Sequence, residues 1–378
     1  MDFSLSDEQE ALRELARKIF AERTSHERTK QLEAKGEWID TELWAEICRA
    51  NLPGIALPEE VGGAGLGVVE AVLVLEEVGR HLAPVPLFPT IVLGGMPIAE
   101  FGTKAQREKW LHPVANGEAV LTAALEEPAG FDPAHPRTTA RREGSGWRLD
   151  GEKTCVPAAE LARAILVPAR IAEGQEVGVF LVEPGASGVA LERQVSTRRE
   201  PLGQLVLSGA RVGPDALLGT PERGGAIVEW LRERALLGLA AIQIGVADSA
   251  MRKTADYVNQ RKQFGRPIGS FQSAQHRIAD AYIDVECMRS VVLEAAWRLS
   301  VGLPASLHVR AAKWWACVAG DRVTHTAQHL HGGIGADVDY PIHRHFLWSQ
   351  TVLATLGGPR QQLEDVGRRI VEEYRPET

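Results

Sequence analysis

Two short segments in the second half of the chain carry the residue types that hold a nucleotide. They read RKQFG over 261–265 and SFQ over 270–272. A diphosphate with adenine and ribose needs a permanent cation, amide donors and an aromatic or apolar face. The candidate residues that supply these groups are Arg261, Gln263, Phe264, Phe271 and Gln272. The alternative is a surface turn with a solvated Arg–Lys pair.

A glycine-rich loop follows about sixty residues later, with the sequence HLHGGIG over 329–335. Paired glycines after a helix let backbone N–H groups approach a ligand closely, so Gly332 and Gly333 are candidates for such contacts. His329, three residues before the glycine pair, adds a side chain that can donate or accept a hydrogen bond. The two motifs together favour a ligand site over a solvated turn.

Metal chemistry is not predicted. Five histidines lie close together in sequence: His325, His329, His331, His343 and His345. They lack the H-E-x-x-H spacing of a helical zinc site. The four cysteines are far apart and form no C-x-x-C pair, so neither a zinc site nor a disulfide framework is expected.

Composition restricts the class of protein. A chain of 378 residues with 44% hydrophobic and 24% charged residues is typical of a globular protein with two or three packed units. The net charge of -8 argues against a nucleic-acid surface. The N-terminus lacks the pattern of a signal peptide and no window reaches about 18 consecutive apolar residues, so we predict a cytoplasmic protein without a membrane span.

The pattern of elements predicts three domains in the order α, β, α. Helical periodicity runs from the Ser6/Gln9 capping-box spacing to about residue 118, so residues 1–118 are predicted to form an N-terminal helical domain. Short β-prone runs between Gly and Pro predict a middle β-barrel or sandwich over 119–225. Four long helical segments near 226–260, 272–302, 305–330 and 341–374 predict a C-terminal four-helix bundle over 226–378. The fold class is therefore α+β multidomain.

This order and several motifs resemble the acyl-CoA dehydrogenase family over essentially the whole chain. GIALPEEVGG over 54–63 and the segment from Gly102-Thr103 to Trp110-Leu111 match family motifs without chemistry of their own. The resemblance implies an FAD cofactor, gripped by the 261–265 and 270–272 motifs. It also implies that the glycine loop contacts FAD bound mainly by a neighbouring subunit. One departure is His329, where the family usually carries Gln.

The resemblance also shows what is missing. The family's chemistry needs a carboxylate that removes the substrate's α-proton while hydride leaves the β-carbon for the flavin. Counting from Tyr340-Pro341 places Leu356 in the usual glutamate slot, and the alternative slot on the first bundle helix holds Ala235. Glu233 is the weak remaining candidate, because two residues turn a helical side chain about 200°. No catalytic residue is therefore predicted.

The flavin-ring motifs of the middle domain are altered as well. The family's "TEP.aGSD" segment is EEPAGFD over 126–132, with Glu126 in the place of the flavin-facing Thr. Its "K.wITN" segment is KTCVPA over 153–158, without the Trp and Thr. The nucleotide-gripping half of the motifs is thus kept while the ring-binding half is degraded.

These features resemble the non-catalytic partner of heteromeric, two-plus-two acyl-CoA dehydrogenases of actinobacterial steroid side-chain degradation. We therefore predict a heterotetramer with a paralogous catalytic subunit, an acyl-CoA substrate, FAD, and an electron-transfer flavoprotein or similar acceptor. Two alternatives stay open. One is a self-sufficient dehydrogenase with a relocated base, and the other is a flavin-free scaffold subunit.

Overall fold

The computed structural model describes residues 4–128, 130, 132–172, 174 and 176–373. Its N-terminal part is helical, as predicted. The helices are α1 (Asp7–Arg23), α2 (His26–Ala34), α3 (Thr41–Arg49), α4 (Val68–His81), α5 (Met96–Phe101) and α6 (Lys104–Ala115). The predicted capping box opens α1, since the Ser6 hydroxyl accepts from the Gln9 N–H and the Gln9 side chain accepts from the Ser6 N–H. A π-helical segment, Pro89–Gly95, leads into α5.

The middle part is a β domain built on one eight-stranded sheet. Its strands are β1 (Val120–Ala123), β2 (Thr139–Glu143), β3 (Gly146–Pro157), β4 (Ala162–Ile171), β5 (Val177–Val182), β6 (Val189–Val195), β7 (Pro201–Val212) and β8 (Leu217–Leu218). The strand order is β6-β7-β3-β2-β4-β5-β8, with β1 parallel to β4. Trp147 and Phe180 meet edge to face at 5.1 Å in the core of this sheet.

The C-terminal part is helical again and contains one short hairpin. The elements are α7 (Gly224–Gln260), β9 (Lys262–Gln263), β10 (Arg266–Pro267), α8 (Gln272–Ser300), α9 (Ser306–His331), α10 (Ile342–Ala354) and α11 (Pro359–Glu373). The predicted fourth segment is thus two helices. Leu356 and Gly357 have φ values of 53° and 95°, which end α10, and Pro359 then starts α11.

Two compact units divide the chain differently from its linear order. One unit comprises residues 1–36, 72–83 and 236–378, and the other comprises 37–71 and 84–235. The first unit, here called the bundle unit, therefore takes α1, α2 and most of α4 from the N-terminal sequence. The second unit, here called the sheet unit, contains the β domain. The predicted domain boundaries at 118/119 and 225/226 stay a prediction.

Within the bundle unit, α4 and α7 cross at glycines. A Cβ placed on Gly245 would lie 1.9 Å from the carbonyl oxygen of Glu76, and one placed on Gly79 would lie 1.9 Å from that of Ile242. The backbones can approach this closely only because neither residue has a side chain. The crossing fixes the position of α7, the helix that leads to the hairpin of β9 and β10.

Among the described residues, helix α7 is the element that could be confused with a membrane span. The segment Pro221–Gln260 is long and apolar enough to cross a membrane, but 94% of its most apolar window is buried inside the protein. A core helix satisfies the same criteria of length and composition. We therefore assign this segment to the core.

Candidate functional site

The RKQFG motif forms an exposed hairpin directly after α7. Strands β9 and β10 pair antiparallel, and the turn consists of Phe264 (φ 55°) and Gly265 (φ 80°). The Phe264 side chain is 91% exposed, an unusual position for a large apolar group. The Phe264 and Phe271 rings pack edge to face, with their centroids 6.2 Å apart. The Arg266 guanidinium lies 4.0 Å from the centre of the Phe271 ring. The hairpin thus presents an aromatic surface beside cations.

The glycine loop begins where α9 ends. Gly332 has φ 64° and ψ -141°, a conformation that suits glycine, and Gly332 and Gly333 are both exposed. A Cβ on either glycine would meet nothing within 4 Å, so the backbone there is open to a ligand. His329, on the last turn of α9, is exposed as well.

Stacked rings connect the hairpin to the glycine loop inside the bundle unit. The Tyr257 ring stacks on the His331 ring at 4.3 Å, and the Tyr257 hydroxyl donates to the His331 carbonyl at 3.5 Å. The Arg261 N–H in turn donates to the Tyr257 carbonyl at 2.8 Å. Sequence reasoning missed Tyr257, although it lies one helical turn before Arg261. These contacts bring the two motifs to one end of the unit.

The eight predicted cofactor residues are accessible. Phe271 is half-buried, and the others are exposed: Arg261, Gln263, Phe264, Gln272, His329, Gly332 and Gly333. In the described part of the chain Arg261 makes no ion pair. A free guanidinium, an exposed aromatic ring and open backbone N–H groups fit the diphosphate and adenosine of a dinucleotide.

The neighbouring histidines do not build a metal centre. Among the described residues, no three His, Cys, Asp or Glu side chains form a group that could hold a metal ion. His331 is buried and its Nδ1 donates to the Ala327 carbonyl at 2.8 Å. Burial lowers the pKa of His345 to about 3, and its Nε2 lies 3.1 Å from the Ser249 hydroxyl. Both rings therefore have structural roles.

Neither predicted slot for the catalytic base holds a proton acceptor. Leu356 is buried, and the carbonyls of Leu356 and Gly357 accept from the Gln362 amide at 2.9 and 3.1 Å. Ala235 is fully buried on α7. Glu233 is half-buried. Burial lowers the pKa of the neighbouring Arg234 to about 10, and the charge of Glu233 opposes that change.

The altered ring motifs of the sheet unit make bonds within the chain. The buried Lys153 ammonium lies 2.7 Å from Glu127, and the Thr154 N–H donates to the Glu126 carbonyl at 3.0 Å. Burial lowers the pKa of Lys153 to about 8, although the Glu127 charge opposes that change. The Cys155 N–H donates to the Gln194 side chain at 3.0 Å. These polar groups are therefore already satisfied inside the unit.

Comparison with known proteins gives matches along nearly the whole chain. Three family models match: the N-terminal domain of acyl-CoA dehydrogenase over residues 6–118, the middle domain over 122–210 and the C-terminal domain over 225–371. Acyl-CoA dehydrogenase FadE27 of Mycobacterium tuberculosis is 37% identical, and the alignment covers 98% of this chain and 99% of that protein.

Two solved structures are similar in both sequence and fold. A steroid ACAD variant named Tcur3481-Tcur3483 contains a chain that is 43% identical, with a TM-score of 0.92 and coverage of 99% of this chain and 100% of that chain. The ChsE4-ChsE5 complex from Mycobacterium tuberculosis contains one that is 37% identical, with a TM-score of 0.93 and coverage of 98% and 99%.

Proposed function

The chain belongs to the acyl-CoA dehydrogenase family, whose members are FAD-dependent oxidoreductases acting on CH–CH bonds. From this premise we propose that it is the non-catalytic subunit of a heteromeric acyl-CoA dehydrogenase of the cytoplasm. In this role the chain binds the adenine side of FAD, while a paralogous partner supplies the flavin-ring pocket and the catalytic glutamate. FAD, when bound, supplies the hydride acceptor.

One observation carries the proposal: the Arg261 guanidinium and the Phe264 ring are exposed while both base slots are apolar. Arg261 is available for a charge-assisted contact with a phosphate, and Phe264 offers an uncovered ring. Leu356 and Ala235 can neither accept nor donate a proton. A chain that binds the cofactor's diphosphate but has no base in its own slots needs another subunit for turnover.

The solved relatives support the choice of partner and substrate. Both similar complexes are named by two components, ChsE4-ChsE5 and Tcur3481-Tcur3483, and the second is called a steroid ACAD. We extend this pairing to the present chain, with a heterotetramer as the assembly and a steroid side-chain CoA thioester as the substrate. An electron-transfer flavoprotein or similar carrier is the proposed acceptor.

Two other functions make different predictions. A self-sufficient dehydrogenase with Glu233 as its base would be yellow when purified alone and would reduce an acceptor with acyl-CoA. A flavin-free scaffold would add no flavin to a complex with its partner. The proposed subunit differs from both, because its flavin content and its activity depend on coexpression with the partner.

Native mass combined with a visible spectrum tests the proposal. The chain is purified alone and after coexpression with a paralogous acyl-CoA dehydrogenase subunit that carries the glutamate. We expect a heteromer that holds FAD and is active with acyl-CoA, whereas the chain alone lacks activity. An active yellow homo-oligomer of this chain would contradict the proposal.

Arg261→Ala tests the grip itself. Loss of a charge-assisted phosphate contact costs on the order of 1.5–3 kcal/mol. The Kd of the heteromer for FAD should therefore rise about 10- to 150-fold. Lys262→Ala is the matched control, because it removes a neighbouring exposed cation of the same hairpin. Equal FAD content in the wild-type and Arg261→Ala heteromers would favour the scaffold function.

A further inference from the structure

Helix α2 contacts the segment that follows the glycine loop. This segment, 337–341, here called the linker, connects the loop to α10 within the bundle unit. The Lys30 ammonium of α2 lies 2.6 Å from the Asp339 carboxylate, and the His26 Nε2 lies 3.1 Å from the Asp339 carbonyl oxygen. Residues 309 and 313 positions apart in the chain are therefore joined at the linker.

Arg344, on the first turn of α10, makes a second attachment to α2. Its two terminal nitrogens donate to the two carboxylate oxygens of Glu33 at 2.6 and 2.9 Å, and its Nε donates to the His26 Nδ1 at 3.1 Å. His26 and Glu33 lie about two helical turns apart, so they share one face of α2. Because bidentate pairing restricts the orientation of a guanidinium, Arg344 holds the start of α10 against this face.

The contacts of His26 require a neutral ring in one tautomer. A guanidinium N–H can only donate, so the His26 Nδ1 must accept from Arg344. A carbonyl oxygen can only accept, so Nε2 must carry the ring proton and donate to Asp339. A second proton would occupy Nδ1 and place two N–H donors against each other. Protonation of His26 therefore breaks its bond to Arg344 and brings two positive charges together.

Several charged and titratable groups surround His26. They come from α2, the linker and α10, and they are Glu27, Lys30, Glu33, Asp339, His343 and Arg344. The Asp339 and Glu33 carboxylates already have cation partners, so neither is free to balance a proton on the ring. Glu27 is exposed, and water and salt screen its charge. A proton added to His26 would thus be poorly compensated.

These surroundings favour the neutral ring. Burial, together with the positive charges of Arg344 and His343, lowers the pKa of His26, although the Asp339 carbonyl and the Glu27 charge oppose this change. An unperturbed histidine titrates near about pH 6.5. As the pH falls through that value, a ring released from these contacts takes up a proton before a ring that is held by them. The attachment therefore loses stability below about pH 6.5.

We propose that His26 and Arg344 form a pH-sensitive latch between α2 and the start of α10, closed near neutral pH and opened by acid. The latch is independent of the proposed function, because it needs neither a cofactor nor a partner. Its opening releases one end of the linker, the segment that leads away from the glycine loop. The order of this segment therefore depends on pH.

Amide hydrogen exchange of the full-length chain, measured by mass spectrometry of its peptides, tests the latch. The Tyr340 N–H donates to the Asp337 carbonyl at 3.1 Å and the Asp339 N–H donates to the Asp337 carboxylate at 2.9 Å, so both amides report opening of the linker. Exchange is measured at about pH 7.5 and 5.5, on either side of the ordinary pKa of histidine, and corrected for the intrinsic rate at each pH. We expect the protection to fall by up to about tenfold at the lower pH, because a released ring is then largely protonated.

Two substitutions separate the attachment from its pH dependence. His26→Gln is neutral at both pH values, so the protection of the linker should be the same at both. Arg344→Ala removes the guanidinium, so the protection should be low at both. His276→Gln, which changes an exposed histidine of α8, is the matched control and should keep the wild-type pH response. Circular dichroism checks that each variant is folded.

Each result bears on one part of the latch. Equal protection of the wild-type linker at both pH values would show that the attachment does not respond to pH and would overturn the proposal. A pH response that persists in His26→Gln would assign the response to another group and reject the role of His26. Unchanged protection in Arg344→Ala would show that α2 does not hold this segment through the guanidinium.

Discussion

At the scale of single residues, a short turn holds the predicted slot for the catalytic base. Leu356 lies in the turn between α10 and α11 at φ 53°, where an L-residue other than Asn or Asp is uncommon. The turn keeps its shape because the Gln362 amide binds two of its carbonyls. The backbone of the predicted base slot is thus held in place, although its side chain has no acid–base capacity.

Leu356→Glu should not restore activity. A carboxyl group at this buried position is disfavoured in its charged form. The ring motifs are also altered, since Pro157 has no backbone N–H and Glu126 replaces a Thr. We expect acyl-CoA-dependent reduction of a dye acceptor by the isolated variant to equal that of the wild-type chain. A circular dichroism spectrum checks that the variant is folded, and efficient turnover would contradict the degraded ring pocket.

At the scale of elements, the crossing of α4 and α7 holds the bundle unit together. A Cβ on Gly245 would lie 2.4 Å from the Arg80 nitrogen as well as 1.9 Å from the Glu76 oxygen. Both atoms belong to backbone, which cannot rotate away. The helices must separate to accommodate any side chain there.

Gly245→Ala should therefore destabilise the chain by about 1–3 kcal/mol, as overpacking of a core typically does. Gly367→Ala is the matched control, because this helical glycine of α11 has nothing within 4 Å of its built Cβ. That control should be neutral or gain about 0.5–1 kcal/mol from the better helix former. Urea unfolding of both variants gives the two free energies, and equal effects would refute the close crossing.

A buried charge network reinforces the same crossing. Arg80 of α4 contacts Glu76, Glu77 and Asp248, and Arg17 of α1 lies 3.0 Å from Glu77. Burial alone would raise the pKa of Glu77, but His81 at 3.6 Å and Arg17 outweigh it and lower this pKa to about 2. The ionised carboxylate is thus the form that the fold stabilises.

This lowered pKa predicts acid sensitivity. Stability from Glu77 is fully present above its ordinary pKa of about 4.3 and is lost as the pH falls towards 2, an effect of about 3 kcal/mol. Glu77→Gln should lower the unfolding free energy at pH 7 and flatten its fall between about pH 5 and 2. Unfolding followed by fluorescence across this range is the measurement, and an unchanged acid slope would contradict the assignment.

At the scale of the whole molecule, the compact units do not follow the linear order of the sequence. The bundle unit draws α1 and most of α4 from the first 83 residues. The fully buried Asp248 on α7 has its Arg80 partner in α4. Removal of the N-terminal sequence would leave this carboxylate with only the exposed Arg252 of its own helix at 3.0 Å, and loss of one partner is costly for a buried charge.

A fragment of residues 226–378 should therefore not fold on its own. We expect helical content without a cooperative thermal transition, because the contacts of α1 and α4 are missing. Circular dichroism melting and gel filtration compare it with the full-length chain. A cooperative transition within a few degrees of the full-length value would show that the C-terminal sequence is self-sufficient.

The sequence by itself determined the fold class and the order of helical and β segments, and it supplies the motifs on which the proposed nucleotide site rests. These features are local, since capping residues, periodicity and glycine positions act over a few neighbours. The range of α7 shows this, since the sequence predicts a helical segment near 226–260 and the helix spans Gly224–Gln260. That neither predicted base slot, Leu356 or Ala235, holds an acid is also readable from residue types alone.

Only the tertiary structure decided which distant segments share a unit. The break between α10 and α11, the stacking of Tyr257 on His331 and the Gly79/Gly245 crossing depend on long-range packing, which no local pattern specifies. The same is true of the contact between His26 and Arg344, because α2 and α10 meet there from positions 318 residues apart. Proximity between remote residues is a property of the folded chain, and local periodicity carries no information about it.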